Sequence, residues 1–223
     1  MISVIQNRDR RTRFSAGGVR WLSDTAFVLR IDRNDLDFQA GQYLSVGPAD
    51  EIHMREYSVY SPVDAPYLEI LVKLVDGGYV SNRLAELTPG EPVAVDGPFG
   101  FFTIDREYAE ARHYFIATGT GISPFHSIVG SNPDMDYRIL HGIRGQSEQY
   151  EYEAYDRERI ICCTTREDTG DYRGRVTDYL RSHPIDPDGR YYLCGNCDMI
   201  YEAFDILQDA GVPHGGLFAE VYF

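Results

Sequence analysis

Long apolar runs are absent from this 223-residue sequence. Stretches such as YFIA at 114–117 fall far below the roughly 18 apolar residues that a membrane-spanning helix needs, so no membrane segment is expected. A secretory signal is also missing. The opening MISVIQNRDRRTRF places its arginines after a very short apolar start and lacks an apolar core with a small-residue cleavage site, which points to the cytoplasm. Cysteine is scarce, with four residues, Cys162, Cys163, Cys194 and Cys197, all in the C-terminal half. A chain without an export signal keeps such thiols reduced, and no disulfide framework is expected. Cys194-Gly-Asn-Cys197 has CxxC spacing, but no second pair supplies the four ligands of a structural zinc or iron–sulfur centre, so no metal is expected. A basic surplus is lacking too. The net charge of −14 disfavours nucleic acid and anionic membrane as partners. That charge is uneven, with −4 over residues 1–100 and −10 over 101–223, while residues 1–20 hold five arginines against one aspartate. This basic end reads either as a solvated arm or as a docking patch for an acidic partner.

What is present is enough apolar material, 43% of the chain, for a sizeable core in two domains. The first half carries short runs of β-branched and aromatic residues broken by Gly and Pro: AFVLRI (26–31), QYLSVG (42–47), EYSVYS (56–61), YLEILVKLV (67–75) and PVAVDG (92–97). That rhythm predicts an antiparallel barrel or sandwich, interrupted by one helix near 80–87 that stops before Pro89. The second half alternates apolar strands at 112–118, 137–143, 158–164 and 190–195 with helices near 124–131, 147–156, 174–182 and 197–210, then a final strand GLFAEVY. Apolar strands alternating with helices predict a parallel sheet covered on both faces. The boundary falls in FFTIDREYAEA, giving a barrel domain over 1–104 and an α/β domain over 105–223.

In an open parallel sheet, ligands bind beyond the carboxyl ends of the strands. That edge collects Thr118-Gly119-Thr120-Gly121, His141-Gly142-Ile143-Arg144, Thr164-Thr165-Arg166 and Cys194-Gly195-Asn196-Cys197. Glycines let backbone N–H groups approach a phosphate, and arginines grip its remaining oxygens. The dinucleotide fingerprint GxGxxG is missing because Pro124 takes the third glycine's place, and Arg144 stands where an acidic residue would bind a ribose 2′-hydroxyl. With Arg166 and Arg175, Arg144 suits a 2′-phosphate, so NADP fits better than NAD. Arg175 also reads as a surface residue at a helix start.

Taken together, Arg55-Glu56-Tyr57-Ser58, Gly78-Tyr79-Val80-Ser81, ATGTGISP at 117–124, the CGN-containing run Cys194 to Met199 and the terminal AEVYF resemble the ferredoxin–NADP reductase family, most closely its bacterial ferredoxin/flavodoxin branch. The resemblance covers nearly the whole chain. It implies an FAD-binding antiparallel barrel followed by an NADP-binding α/β domain, in an enzyme passing electrons between NADP(H) and ferredoxin or flavodoxin. By resemblance Arg55 pairs with the FAD pyrophosphate, Tyr57 lies against the flavin and Ser58 hydrogen-bonds near flavin N5. Strand alternation puts Arg55 and Tyr57 on one face, so Ser58 needs a strand end or twist to reach the same cofactor. Ser81 and the backbone of Gly78, Tyr79 and Val80 suit the pyrophosphate, and Ser81 equally suits an N-terminal helix cap.

At the other end, Tyr222 matches the aromatic covering the flavin, Phe223 is placed to shield the adenine, and Gly195, Asn196 and Met199 belong to the nucleotide-binding run. Cys194 matches the cysteine beside the nicotinamide, and Glu220 the carboxylate linked to Ser58; with Ser58 these are the expected catalytic residues. One departure is Cys197, which replaces the family's Pro and implies a less rigid loop or a thiol near the flavin. The somewhat short chain leaves FMN as an alternative to FAD. A flavin reductase, an electron-transfer subunit of a larger complex and a non-enzymatic flavin-binding module are the rival functions, and a monomer is expected.

Overall fold

The computed structural model describes residues 12–222. Arg10 and Arg11 of the basic end, and Phe223, lie outside them.

The first sheet begins with a strand that the sequence rhythm did not announce. β1 (Thr12–Ser23) is 12 residues long, where a solvated arm or docking patch was expected. Two arginines and the Gly17-Gly18 pair break its apolar run, yet Phe14 and Ala16 are buried. Gly18, at φ 125°, sits at the irregularity where β1 leaves one neighbour for another, a backbone conformation open chiefly to glycine. β2 (Ala26–Asp32), β3 (Tyr43–Pro48), β4 (Arg55–Ser58), β5 (Tyr67–Lys73) and β6 (Pro92–Phe99) complete an antiparallel sheet in the order β4-β3-β6-β1-β2-β5. A bridge from Val59 to Ile70 joins its two edges, and a buried apolar cluster including Phe27, Leu44, Ile70 and Val95 fills the interior. α1 (Tyr79–Ala85) packs on this barrel through Val80 and Leu84.

The second sheet is wholly parallel. β7 (His113–Thr118), β8 (Tyr137–Ile143), β9 (Ile160–Thr164), a two-residue β10 (Tyr172–Arg173), β11 (Arg190–Gly195) and β12 (Leu217–Val221) lie in the order β10-β9-β8-β7-β11-β12. The chain steps outward from β7 to β10, then returns to β11 on the other side of β7. The switch point therefore lies between β7 and β11, and their carboxyl ends open the crevice where ligands bind in such sheets. α2 (Ser123–Ser131), α3 (Val176–Ser182) and α4 (Cys197–Asp209) connect the strands. None of the described helices is long and apolar enough to cross a membrane.

The helix expected near 147–156 is replaced by two short 3₁₀ turns, Gln146–Glu148 and Tyr152–Ala154, with Glu151 left-handed at φ 48° between them. Burial and polar contacts override helix propensity here. Tyr150 and Tyr155 are buried, the Glu148 carboxylate accepts the Arg144 N–H at 2.9 Å, and Glu151 reaches Arg20 of β1 at 2.6 Å. Arg20 is thereby tied to the second sheet, which removes one arginine from the free basic end.

Candidate functional site

A cleft of about 1150 Å³ runs between the two sheets, lined from the barrel by β4, the end of β5 and the start of α1, and from the parallel sheet by its carboxyl edge. Sites holding one drug-sized molecule run roughly 300–1,000 Å³, so this volume has room for more than one such ligand.

β4 supplies the inner wall. Arg55 and Glu56 are exposed, Tyr57 is half-buried and Ser58 is buried, yet all four line the cleft. Strict alternation would put them on opposite faces; β4 is the edge strand of its sheet and ends at Ser58, which stays paired with Tyr43. The hydrogen bond of the Arg55 guanidinium goes to the neighbouring Met54 carbonyl at 2.9 Å. Burial pushes the Tyr57 phenol up to about 12, with Arg55 opposing, which keeps it neutral in the working pH range. Gly78, Tyr79, Val80 and Ser81 lie alongside. Ser81 does not cap α1: Gly78 is the N-cap, while the Ser81 hydroxyl accepts the Val75 N–H at 3.2 Å.

Ser58 is the meeting point of the barrel and the C-terminal segment. Its hydroxyl donates to Glu220 Oε1 at 2.9 Å and accepts from the Tyr222 hydroxyl at 2.7 Å. The Tyr222 N–H is held by the Gly195 carbonyl at 2.9 Å. Burial lifts the Glu220 carboxyl above the usual carboxylate range, with the Ser58 hydrogen bond opposing and Glu56 adding to the rise. Cys194 is fully buried and lies behind the cleft rather than in its lining. Desolvation, aided by Glu220, holds its thiol well above the ordinary range, so it stays an uncharged, poorly nucleophilic group.

Two glycines of the carboxyl edge, Gly121 and Gly195, answer a packing demand. A Cβ on Gly121 would stand 2.4 Å from the Cys194 carbonyl oxygen, and one on Gly195, at φ 126°, would meet Thr118 Oγ1 at 2.3 Å. The two loops are that close because Asn196 N–H donates to Thr118 Oγ1 at 2.9 Å, and the Asn196 side chain then caps α4 at Met199 N–H. Thr118, Gly119, Thr120, Gly195, Asn196 and Met199 line the cleft; Gly121 is packed beneath it. Cys197 takes the first position of α4 and is not among the lining residues. Fully buried His141 sets the Gly119 turn: its Nε2–H donates to the Gly119 carbonyl and its Nδ1 accepts the Tyr152 hydroxyl, both at 2.8 Å.

The three arginines separate. Arg144, Thr165 and Arg175 line the main cleft, whereas Arg166 lines an adjoining groove of about 380 Å³ that it shares with Arg144 and the Ser23–Thr25 turn. Sequence reasoning missed four further charged residues in the main cleft, Lys73, Glu148, Asp198 and Glu202. Lys73, the sole lysine of the chain, projects from the end of β5 toward Arg144 and Glu148; burial lowers its pKa, Arg144 lowers it further and Glu148 opposes. Its place at the end of a predicted strand was the available signal. Glu148, 3.7 Å from the Arg144 guanidinium, was hidden within a predicted helix. Among the described residues no three His, Cys, Asp or Glu side chains converge as metal ligands.

Residues 22–104 match the oxidoreductase FAD-binding domain and residues 115–204 the oxidoreductase NAD-binding domain. A ferredoxin–NADP reductase of Pseudomonas aeruginosa is 30% identical, covering 85% of this chain and 86% of its own. That of Azotobacter vinelandii is 29% identical over 85% and 86%. In three dimensions the fold is similar to a ferredoxin NADP⁺ reductase from Neisseria gonorrhoeae with bound FAD and NADP, at a TM-score of 0.86 and 23% identity over 95% of this chain and 98% of that one.

Proposed function

We propose, for a chain that belongs to the ferredoxin–NADP reductase family, that it holds FAD along β4, draws hydride equivalents from NADPH and delivers electrons to a ferredoxin- or flavodoxin-type carrier. The observation that carries this reading is the hydrogen-bonded set Tyr222–Ser58–Glu220, which closes one end of a cleft walled by Arg55 and Tyr57 on one side and by Arg144 and Arg175 on the other.

The residues present fit an FAD. Arg55 offers a guanidinium engaged only with a neighbouring carbonyl among its described hydrogen bonds, suited to a pyrophosphate. Tyr57 offers a stacking surface, and Ser58 a hydroxyl at the end of the same strand. When bound, FAD supplies the exchange between two-electron hydride chemistry and one-electron transfer. The protein's part is positioning and proton handling. Ser58 and Glu220 hold a proton at the closed end, and the raised pKa of Glu220 brings it nearer to neutral pH, as proton-transfer groups require. Cys194 packs behind the cleft as a buried thiol. Arg144, Thr165 and Arg175 bind the 2′-phosphate half of NADP(H), with Thr118, Thr120 and Asn196 along its length. The domain division follows the same reading: 1–104 for FAD and 105–223 for the nicotinamide nucleotide.

The test is anaerobic reduction of the purified protein by NADPH and by NADH, followed by addition of each carrier. Rapid bleaching of flavin absorbance by NADPH and its return on adding ferredoxin or flavodoxin is expected. Equal reduction by both nucleotides with no reoxidation by either carrier sinks the assignment.

A further inference from the structure

A buried acid stands in the wall that the reading above gives to a phosphate. Glu148 is 8% exposed and lines the main cleft with Arg144 and Lys73, although burying a carboxylate costs free energy and its charge repels the phosphate that those cations attract. Its contacts show what offsets this. Glu148 Oε2 accepts the Arg144 N–H at 2.9 Å, closing the passage from β8 into the first 3₁₀ turn, and Oε1 lies 3.7 Å from Arg144 Nε. The Arg144 carbonyl in turn accepts the Arg166 N–H at 2.9 Å. Both backbone groups of Arg144 are thereby fixed, while its side chain stays half exposed.

Lys73 meets this pair from the other domain. It stands at the end of β5 in the barrel, and its charge is opposed by Arg144 and favoured by Glu148. Two cations that face one space from two domains repel each other, and an acid that interacts with both offsets the repulsion until a ligand phosphate takes over that task. We infer that Glu148 is a positioning residue for the nucleotide: it fixes Arg144 through the backbone and stands in for the phosphate by balancing Arg144 and Lys73 before the phosphate arrives. This rests on the assignment of a phosphate-bearing nucleotide to this wall and adds the residue that presents its cation. The two tasks fall to different properties of one side chain. The Oε2 hydrogen bond pins the backbone, and the carboxylate charge balances the cations.

Calorimetric titration of the purified protein with NADP⁺ and with NAD⁺ separates the two. Glu148→Gln keeps an acceptor for the Arg144 N–H and removes the charge; with the opposing anion gone, NADP⁺ should bind at least as tightly as to the unaltered protein and up to about fivefold tighter, with a smaller change for NAD⁺. A merely structural acid would not give a gain of this kind. Glu148→Ala removes the acceptor as well, so its Kd for NADP⁺ should exceed that of Glu148→Gln by about 2- to 12-fold, the net worth of one hydrogen bond. In an Arg144→Ala background that difference should vanish, because the acid then has no cation to present. Weaker binding of NADP⁺ to Glu148→Gln overturns the proposal, since the charge then assists the nucleotide, and so does a difference between the Gln and Ala variants that persists without the Arg144 side chain. If melting temperatures show that the alanine variant does not fold, the glutamine variant alone decides. An unaltered protein that binds neither nucleotide removes the underlying assignment, an outcome distinct from any difference among the variants.

Discussion

Ser58 and Glu220 stand 162 residues apart in the chain and 2.9 Å apart in space, Ser58 Oγ to Glu220 Oε1. The contact ties the last residue of β4 to β12 and so joins the barrel to the far edge of the parallel sheet. Ser58 is buried and Glu220 half-buried, so the bond is shielded from the water that weakens exposed polar contacts.

If this pair handles the proton that accompanies hydride transfer, Ser58→Ala should lower turnover with NADPH by roughly 100-fold or more, the usual scale for a positioned proton-transfer group. Glu220→Gln should give a comparable loss and also flatten the pH profile of turnover on the acid-to-neutral side, since the raised Glu220 titration disappears. Flavin content by absorbance should be unchanged in both. Loss of flavin alongside turnover would make the pair a structural clamp.

Arg144 should decide between the two nicotinamide nucleotides. A charge-assisted contact to a phosphate is worth about 1.5–3 kcal/mol, so Arg144→Ala should raise the KM for NADPH about tenfold or more while leaving NADH nearly unaffected. Arg166→Ala should have a smaller effect, because Arg166 lines the adjoining groove and not the main cleft. Steady-state KM values for both nucleotides check this, and equal losses for NADPH and NADH would remove the 2′-phosphate from Arg144.

Tyr222 covers Ser58 through its hydroxyl and is anchored by its own N–H on Gly195. An aromatic that must give way for a nicotinamide ring competes with it. Tyr222→Ser should therefore tighten NADP⁺, relax the preference for NADPH over NADH and slow turnover through late product release. The readouts are Kd for NADP⁺ and NAD⁺ with turnover. Unchanged affinities with a lower Tm would reduce Tyr222 to a core contact.

His141 gives the fold an acid-side weakness. Unfolded, an imidazole titrates near 6.5; here burial lowers it to about 4, with the hydrogen bond to Gly119 opposing. Between those values the unfolded chain binds more protons, so stability falls as pH drops from about 6.5 toward 4. The full gap is worth about 3 kcal/mol. His113 and His126, also lowered by burial, add to the same limb. His141→Gln should shrink the acid-side loss measured by denaturant unfolding across that range. An unaltered slope would contradict a neutral His141 in the native state.

The sequence by itself determined the elements whose side-chain period survives without help from distant neighbours. β8 and β11 appear with the bounds read from YRILHGI and RYYLCG, because strands buried on both faces are continuously apolar. The order of strands and helices implied the crevice and most of its lining, since parallel topology fixes which strand ends face the ligand. Tertiary structure decided the rest. β1 became a strand because two partners were available to pair it on either side of Gly18. The 147–156 segment gave up its helix to bury Tyr150 and Tyr155 and to reach Arg20. Lys73 and Glu148 entered the site, and Arg166 left its main cleft, because the two domains' surfaces meet at positions that no local period records. The physical reason is range: side-chain periodicity reports a residue's burial along its own element, whereas a cleft between two sheets is defined by contacts over a hundred residues apart, such as Ser58 with Glu220.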